Sequence, residues 1–160
     1  MEQHYKAHWC KLLIIMSVIA SLILMLPSAL YWVDPEPSLL FAAPLCLLIG
    51  IGAALFTIRG YTVTRDELHI QRLFWKTRIP LKNLKSAQIN PEAFRKCIRT
   101  CGNGGLFSFS GFYYSKSVGH FRALVTDLAN PVVLRFEKRT LVISPSEPEA
   151  FLQNIRAFIQ

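Results

Sequence analysis

Cys97 and Cys101, four residues apart, are the most chemically suggestive pair in the chain, since such thiols can supply half a zinc site or a nucleophile. A structural zinc site needs a second pair of ligands. Here Cys10 and Cys46 lie in or beside long apolar runs, and His69 and His120 stand isolated from one another. A nucleophilic cysteine needs a base beside it, and no spacing ties His120 to either thiol. The run Gly102-Asn103-Gly104-Gly105 has the composition of a phosphate loop. Such a loop should open a helix, yet this one leads into Leu106-Phe107-Ser108-Phe109-Ser110, which alternates like a strand. No Gly-x-Ser-x-Gly elbow, His-Glu-x-x-His or Walker-type Gly-Lys-Ser is present. The acids are isolated or crowd the start of the last helix, so no paired-carboxylate site is in view. The sequence predicts no catalytic residue, no metal and no cofactor. It reads as a protein that is not an enzyme.

What remains is charge and aromatic surface. Residues 59–160 carry 16 Lys or Arg against 7 Asp or Glu, a net of +9, while residues 1–58 carry a net of −1. The bases fall into two groups: Arg72, Lys76, Arg78, Lys82 and Lys85, then Arg95, Lys96 and Arg99. Either group can face anionic headgroups, at about 1 kcal/mol per base near the surface, or face a protein partner. Residues 106–116 read as an aromatic loop tipped by Phe112, Tyr113, Tyr114 and Lys116. Its alternatives are to dip into a membrane interface or to fill the core of a small barrel. Nucleic acid is a poor partner, because the bases are not interleaved with aromatics on one strand face.

These residues must be positioned by the elements around them, and the front of the chain dominates. Leu12–Val33 and Ser38–Ile58 are runs of 22 and 21 residues without a charged side chain, split by Asp34-Pro35-Glu36-Pro37. At a rise of about 1.5 Å per residue each is about 32 Å long, which matches a hydrocarbon core of about 30 Å. Only helices satisfy their own backbone in lipid, so the prediction is a transmembrane hairpin, about 12–33 and 38–58, within an anchor of residues 1–58. Lys6 and Lys11 before it, Arg59 and Arg65 after it, and only acids in the turn place both termini in the cytoplasm. A cleaved signal peptide ending near Pro27-Ser28-Ala29 is the rival, although the apolar run continues to Val33. Tyr5 and Trp9 are expected at the lipid interface. Ser17 with Ser21, and the Gly50–Ala54 stretch, offer small surfaces for packing the hairpin on itself or for a homo-oligomer. Neither helix holds an ionisable residue, so this is an anchor and not an ion path. Four dispersed cysteines do not form a secreted disulfide framework.

Residues 59–160 form a second domain of short β runs. Gly60–Thr64, Glu67–Phe74 and Thr77–Pro80 read as a meander, with a possible bulge at Arg72-Leu73. Leu84–Ile89 is a strand, Glu92–Thr100 a short helix, and Leu106–Tyr114 and His120–Asp127 further strands. Val132–Glu137 and Thr140–Ser144 make a hairpin across Lys138-Arg139. Ser144 to Glu149 holds overlapping capping boxes, Ser144 with Glu147 and Ser146 with Glu149. Phe151, Leu152, Ile155, Phe158 and Ile159 then recur at the helical period.

Strands closed by one C-terminal amphipathic helix is the order of a pleckstrin-homology-like domain. Gly104-Gly105-Leu106-Phe107, Gly111, Gly119, Phe121-Arg122-Ala123, Thr126-Asp127 and Ile143-Ser144-Pro145 with Pro148 and Phe151 resemble the bacterial PH-domain proteins, many of which place a hydrophobic hairpin before the domain. The resemblance covers about residues 61–158. It implies an α+β chain: a transmembrane hairpin, then a mainly antiparallel β-barrel or sandwich closed by a helix, at the bacterial inner membrane. It does not imply phosphoinositide binding, since the first strand turn here is Arg65-Asp66-Glu67, one base beside two acids. The expected function is a non-enzymatic, membrane-anchored module that binds a protein or peptide, with sensing of anionic lipid as the alternative.

Overall fold

Apolar side chains of good helical propensity make the two long helices. The computed structural model describes residues 3–159 and places α1 at Lys11–Val33 and α2 at Pro37–Leu55, joined through Asp34–Glu36. Proline opens α2, where its missing N–H costs nothing. Only Leu13 and Ser17 of α1 are buried, and no residue of α2 is. The helix expected to reach Ile58 stops at Leu55. Phe56–Ile58 leave it so that Ile58 can turn, fully buried, beneath a sheet.

Residues 3–6, expected as a polar lead-in, are instead strand β1, Gln3–Lys6. It pairs antiparallel with β2, Gly60–Val63, with His4 opposite Thr62. Tyr5 is therefore not at a lipid interface but in the core, edge-to-face on Phe151 at 5.3 Å. The two helices are thus an excursion between neighbouring strands of one sheet, and the sandwich holds both of their ends. The approach is close enough that a Cβ on Gly60 would stand 2.8 Å from the Tyr5 carbonyl.

Strands β3, Glu67–Gln71, and β4, Lys76–Pro80, complete a four-stranded sheet in the order β1-β2-β3-β4. β3 ends earlier than expected and carries no bulge at Arg72-Leu73. The Arg72 N–H donates to the Trp75 carbonyl at 2.9 Å and closes a four-residue turn. The larger sheet holds β5, Leu84–Ile89; β6, Ile98–Gly104; β7, Phe109–Ser115; β8, Gly119–Val125; β9, Val132–Phe136; and β10, Thr140–Ile143. Its order is β5-β9-β10-β8-β7-β6, antiparallel except where β10 lies parallel to β8. The architecture is α+β, a sandwich of two open sheets with no closed barrel, because each sheet ends in unpaired edges.

The helix expected over Glu92–Thr100 does not form. Asn90 Oδ1 accepts from the Glu92 N–H at 3.0 Å, single turns follow, and from Ile98 the chain gains a continuous ladder with β7. Helix α3, Pro148–Ile155, closes the sandwich and buries Phe151, Leu152 and Ile155. Neither capping box is made. Glu147 is the N-cap without a side-chain bond, and Ser144 is used elsewhere. One core lies between the sheets and α3, built on Tyr61, Leu68, Ile70, Leu134, Ile143 and Phe151. The second covers the opposite face of the larger sheet, where Phe109, Tyr113, Phe121 and Val125 meet Leu13 of α1.

Candidate functional site

A buried hydroxyl cluster ties the start of the hairpin to the sandwich. Ser144 Oγ accepts from the N–H groups of Thr126 at 2.8 Å and Asp127 at 3.2 Å. Tyr61 donates to the Leu124 carbonyl at 2.8 Å and accepts from the Ser144 N–H at 3.3 Å. Burial pushes the Tyr61 phenol up to about 12, opposed by its bonds with Ser144 and by the charge of Arg72. Thr126 Oγ1 donates to the His8 carbonyl at 2.8 Å, and its own carbonyl accepts from the Cys10 N–H at 3.2 Å. The Thr126-Asp127 and Ser144-Pro145 pairs therefore join two strands to the segment that enters α1.

The hairpin is gripped twice more, once on each helix. On α1, Ser17 Oγ donates to the Gly105 carbonyl at 3.1 Å and accepts from the Phe107 N–H at 2.9 Å. Gly105, at φ +127°, lets the turn pass close to Met16; a Cβ there would sit 3.5 Å from its methyl. Phe107 reaches further, into a cleft of about 240 Å³ between the helices, lined by Ser21, Leu24, Gly50 and Ala54. Gly50 faces α1 here, whereas nothing lies near Gly52. On α2, the β3–β4 turn sits against the helix end. Arg72 Nη1 donates to the Phe56 carbonyl at 2.5 Å and Nε to Thr77 Oγ1 at 3.2 Å, and the guanidinium lies 5.2 Å from the Phe56 ring centroid. A cation at the carbonyl end of a helix is favoured by the helix dipole. Burial, and then the charge of Arg122, lower the pKa of Arg72. Trp75 packs edge-on against Phe56 at 5.1 Å.

Arg122 also lines a cavity of about 320 Å³ at the open side of the sandwich, together with His120, Lys138, Arg139, Ile79 and Phe112. No acid lines it, and the ion pairs among the described residues, Glu67–His69 and Glu92–Arg95, lie elsewhere. Of the outer strands, β6 of the larger sheet is the longest, and its Ile98 through Gly102 are exposed.

The bases singled out from the sequence do not share one surface. Arg72 is buried at the end of α2. Lys76 and Arg78 point outward from β4, Lys82 lies in the β4–β5 connection and Lys85 on β5. Arg95 and Lys96 are on the turns before β6; Arg95 pairs with Glu92 at 2.6 Å, and Arg99 is on β6 against Gly104. The aromatic stretch is not a loop over its whole length, because 109–115 is strand β7. Phe112 and Tyr114 are exposed on one face, while Tyr113 is buried on the other, stacked on Phe121 at 5.9 Å. Lys116 is in the following turn. The part of 106–116 that reaches the helices is Phe107. Cys97 sits partly buried against the Tyr113 face, and burial raises its thiol pKa, whereas His120 lies tilted against Tyr114, 4.8 Å between ring centroids, on the opposite face. Among the described residues no three His, Cys, Asp or Glu side chains gather.

Sequence reasoning missed Arg122, Lys138 and Arg139 as a group. Lys138-Arg139 was legible only as a turn, and nothing local shows that β10 runs beside β8. Leu73-Phe74-Trp75 is a second group not seen as a unit, since Leu73 and Phe74 closed the expected strand Glu67–Phe74 and Trp75 began the expected turn. Three consecutive apolar residues at a break in alternation were the available signal.

A family model described as the bacterial PH domain matches residues 59–158. No curated protein and no solved structure matches the chain.

Proposed function

Because the chain belongs to the bacterial PH domain family, we propose that it works as a membrane-anchored, non-catalytic interaction module. Helices α1 and α2 cross the inner membrane, with the Asp34–Glu36 turn outside and the sandwich in the cytoplasm. A protein or peptide partner adds to the free edge of β6. The observation that carries this reading is a combination. Two helices long and apolar enough to span a bilayer bury almost nothing within the fold, and the longest of the sandwich's outer strands, β6, has an open edge. An open edge presents unpaired N–H and C=O groups that an extended segment can satisfy, with pockets for alternate side chains giving selectivity.

Two experiments test it. In intact cells, an impermeant thiol reagent should label Glu36→Cys directly and Cys101 only after permeabilisation; equal labelling of both before permeabilisation rejects the topology. A photocrosslinker in place of Ile98 should give a discrete protein adduct that one in place of Lys82 does not. Matching adducts at both positions reject docking at β6.

The cavity beside Arg122, Lys138 and Arg139 favours a second reading, contact with anionic lipid, since three bases line it against one exposed acid nearby, Glu137, and hold a positive potential. Full-length protein in bilayers with and without an anionic lipid should then differ in backbone exchange around residues 138–140. Identical exchange discards this reading.

A further inference from the structure

The β3–β4 turn presents Leu73, Phe74 and Trp75 in sequence, 39%, 78% and 38% exposed, beside the end of α2. Soluble sheets do not usually end a hairpin in three consecutive apolar side chains, and such a patch marks an interaction surface. Its place in the fold identifies what covers it. Trp75 packs on Phe56, itself half exposed, and α2 continues from there with Ile51, Leu48, Leu47 and Leu45 open on its surface. The tip therefore prolongs the apolar surface of the helix without a break. Arg72 holds the turn in that position from inside, through the Phe56 carbonyl. Lys76 follows the tip and is exposed, the order in which a basic side chain reaches headgroups from a shallow apolar insertion.

We propose that Leu73-Phe74-Trp75 is a wedge that inserts into the interfacial layer of the same bilayer that α1 and α2 cross. It rests on the reading that the hairpin spans the membrane. With the Phe107 turn on α1, the wedge gives the sandwich a second point of attachment and keeps it from rotating about the hairpin. The β6 edge is then presented in one orientation relative to the membrane.

The test uses full-length protein in vesicles of phosphatidylcholine and phosphatidylglycerol, some brominated near the headgroup end of the acyl chains and some near the bilayer centre. A variant with Trp9→Phe and Trp32→Phe leaves Trp75 as the only indole; one with Trp9→Phe and Trp75→Phe leaves Trp32 at the far end of α1. Trp75 should be quenched several-fold more strongly by the shallow bromines than by the deep ones. Adding Phe74→Asp should lower that quenching at least about twofold by taking the tip out of the interface. Quenching of Trp32 with none of Trp75 overturns the wedge and leaves the spanning hairpin standing. Absence of quenching at both positions overturns the spanning reading and the wedge with it. Unchanged Trp75 quenching in the Phe74→Asp protein also overturns the wedge, since position beside α2 would then suffice.

Discussion

Ser17→Ala should release the Gly105–Phe107 turn from α1 without unfolding the sandwich. Ser17 is 4% exposed, and its one hydroxyl serves both the Gly105 carbonyl and the Phe107 N–H. Phe107 is at φ 64°, a conformation an L-residue adopts at a cost, so the turn depends on the bonds that hold it. Alanine leaves the buried Gly105 carbonyl and the part-buried Phe107 N–H unpaired. An orphaned buried group costs about 1–3 kcal/mol and the part-buried Phe107 N–H takes the low end, about 1 kcal/mol, so the two together weaken docking by about 2–4 kcal/mol. At about 1.4 kcal/mol per decade, the open state becomes roughly 30- to 700-fold more populated. Amide hydrogen exchange on full-length protein in detergent or bilayers reads this at the Phe107 N–H, with the Leu134 N–H of the central strand β9 as an internal reference. The expected result is faster exchange at Phe107 and no change at Leu134. Unchanged exchange at Phe107 refutes the dependence on Ser17. An equal acceleration at both amides shows that the bonds serve global stability and not a separable docking contact.

Tyr61→Phe should remove the bonds to Leu124 and Ser144 and cost about 1–3 kcal/mol near neutral pH, measured by urea denaturation. The same variant tests the raised phenol. With a folded pKa of about 12 above an unfolded value near 10, the protonated form is favoured by folding. Its stabilisation is therefore complete below pH ~10 and lost between about 10 and 12, at roughly 1.4 kcal/mol per pH unit. The wild type should lose stability more steeply than the variant across that window. Gly111→Ala should loosen β6, because a Cβ there would run into the Cys101 carbonyl across the strand pair. Overpacking of this kind costs about 1–3 kcal/mol, seen as faster proteolysis within 98–104. Arg72→Met should strip the end of α2 of its cation. A loss of about 1.5–3 kcal/mol in the unfolding transition, with Trp75 fluorescence shifted to the red, is the expected outcome.

Much of the architecture was legible because it depends on local pattern. Leu84–Ile89 emerged with its observed bounds, and the hairpin across Lys138-Arg139 and the buried stripe of α3 followed from alternation and helical period. The readings that failed were those in which a distant partner outbid a local signal. Ser144 has the spacing of a helix cap, yet its hydroxyl is taken by the N–H groups of Thr126 and Asp127, just past the end of β8. Glu92–Thr100 has the composition of a short helix, but β7 offers the backbone from Ile98 a longer ladder. Tyr5 looks like an interfacial aromatic until β2 pairs with the strand that carries it.

Two helices of membrane-spanning length and a basic, strand-rich region after them are written in the order of the residues alone. Run length, charge placement and side-chain period are properties of neighbouring residues. It takes the packed fold to make the hairpin an insertion between paired strands, gripped at Ser17 and at Phe56. That fold alone gathered Arg122, Lys138 and Arg139, and it alone turned Leu73-Phe74-Trp75 outward beside α2. Those arrangements come from strand order and sheet packing, which join residues that no local pattern relates.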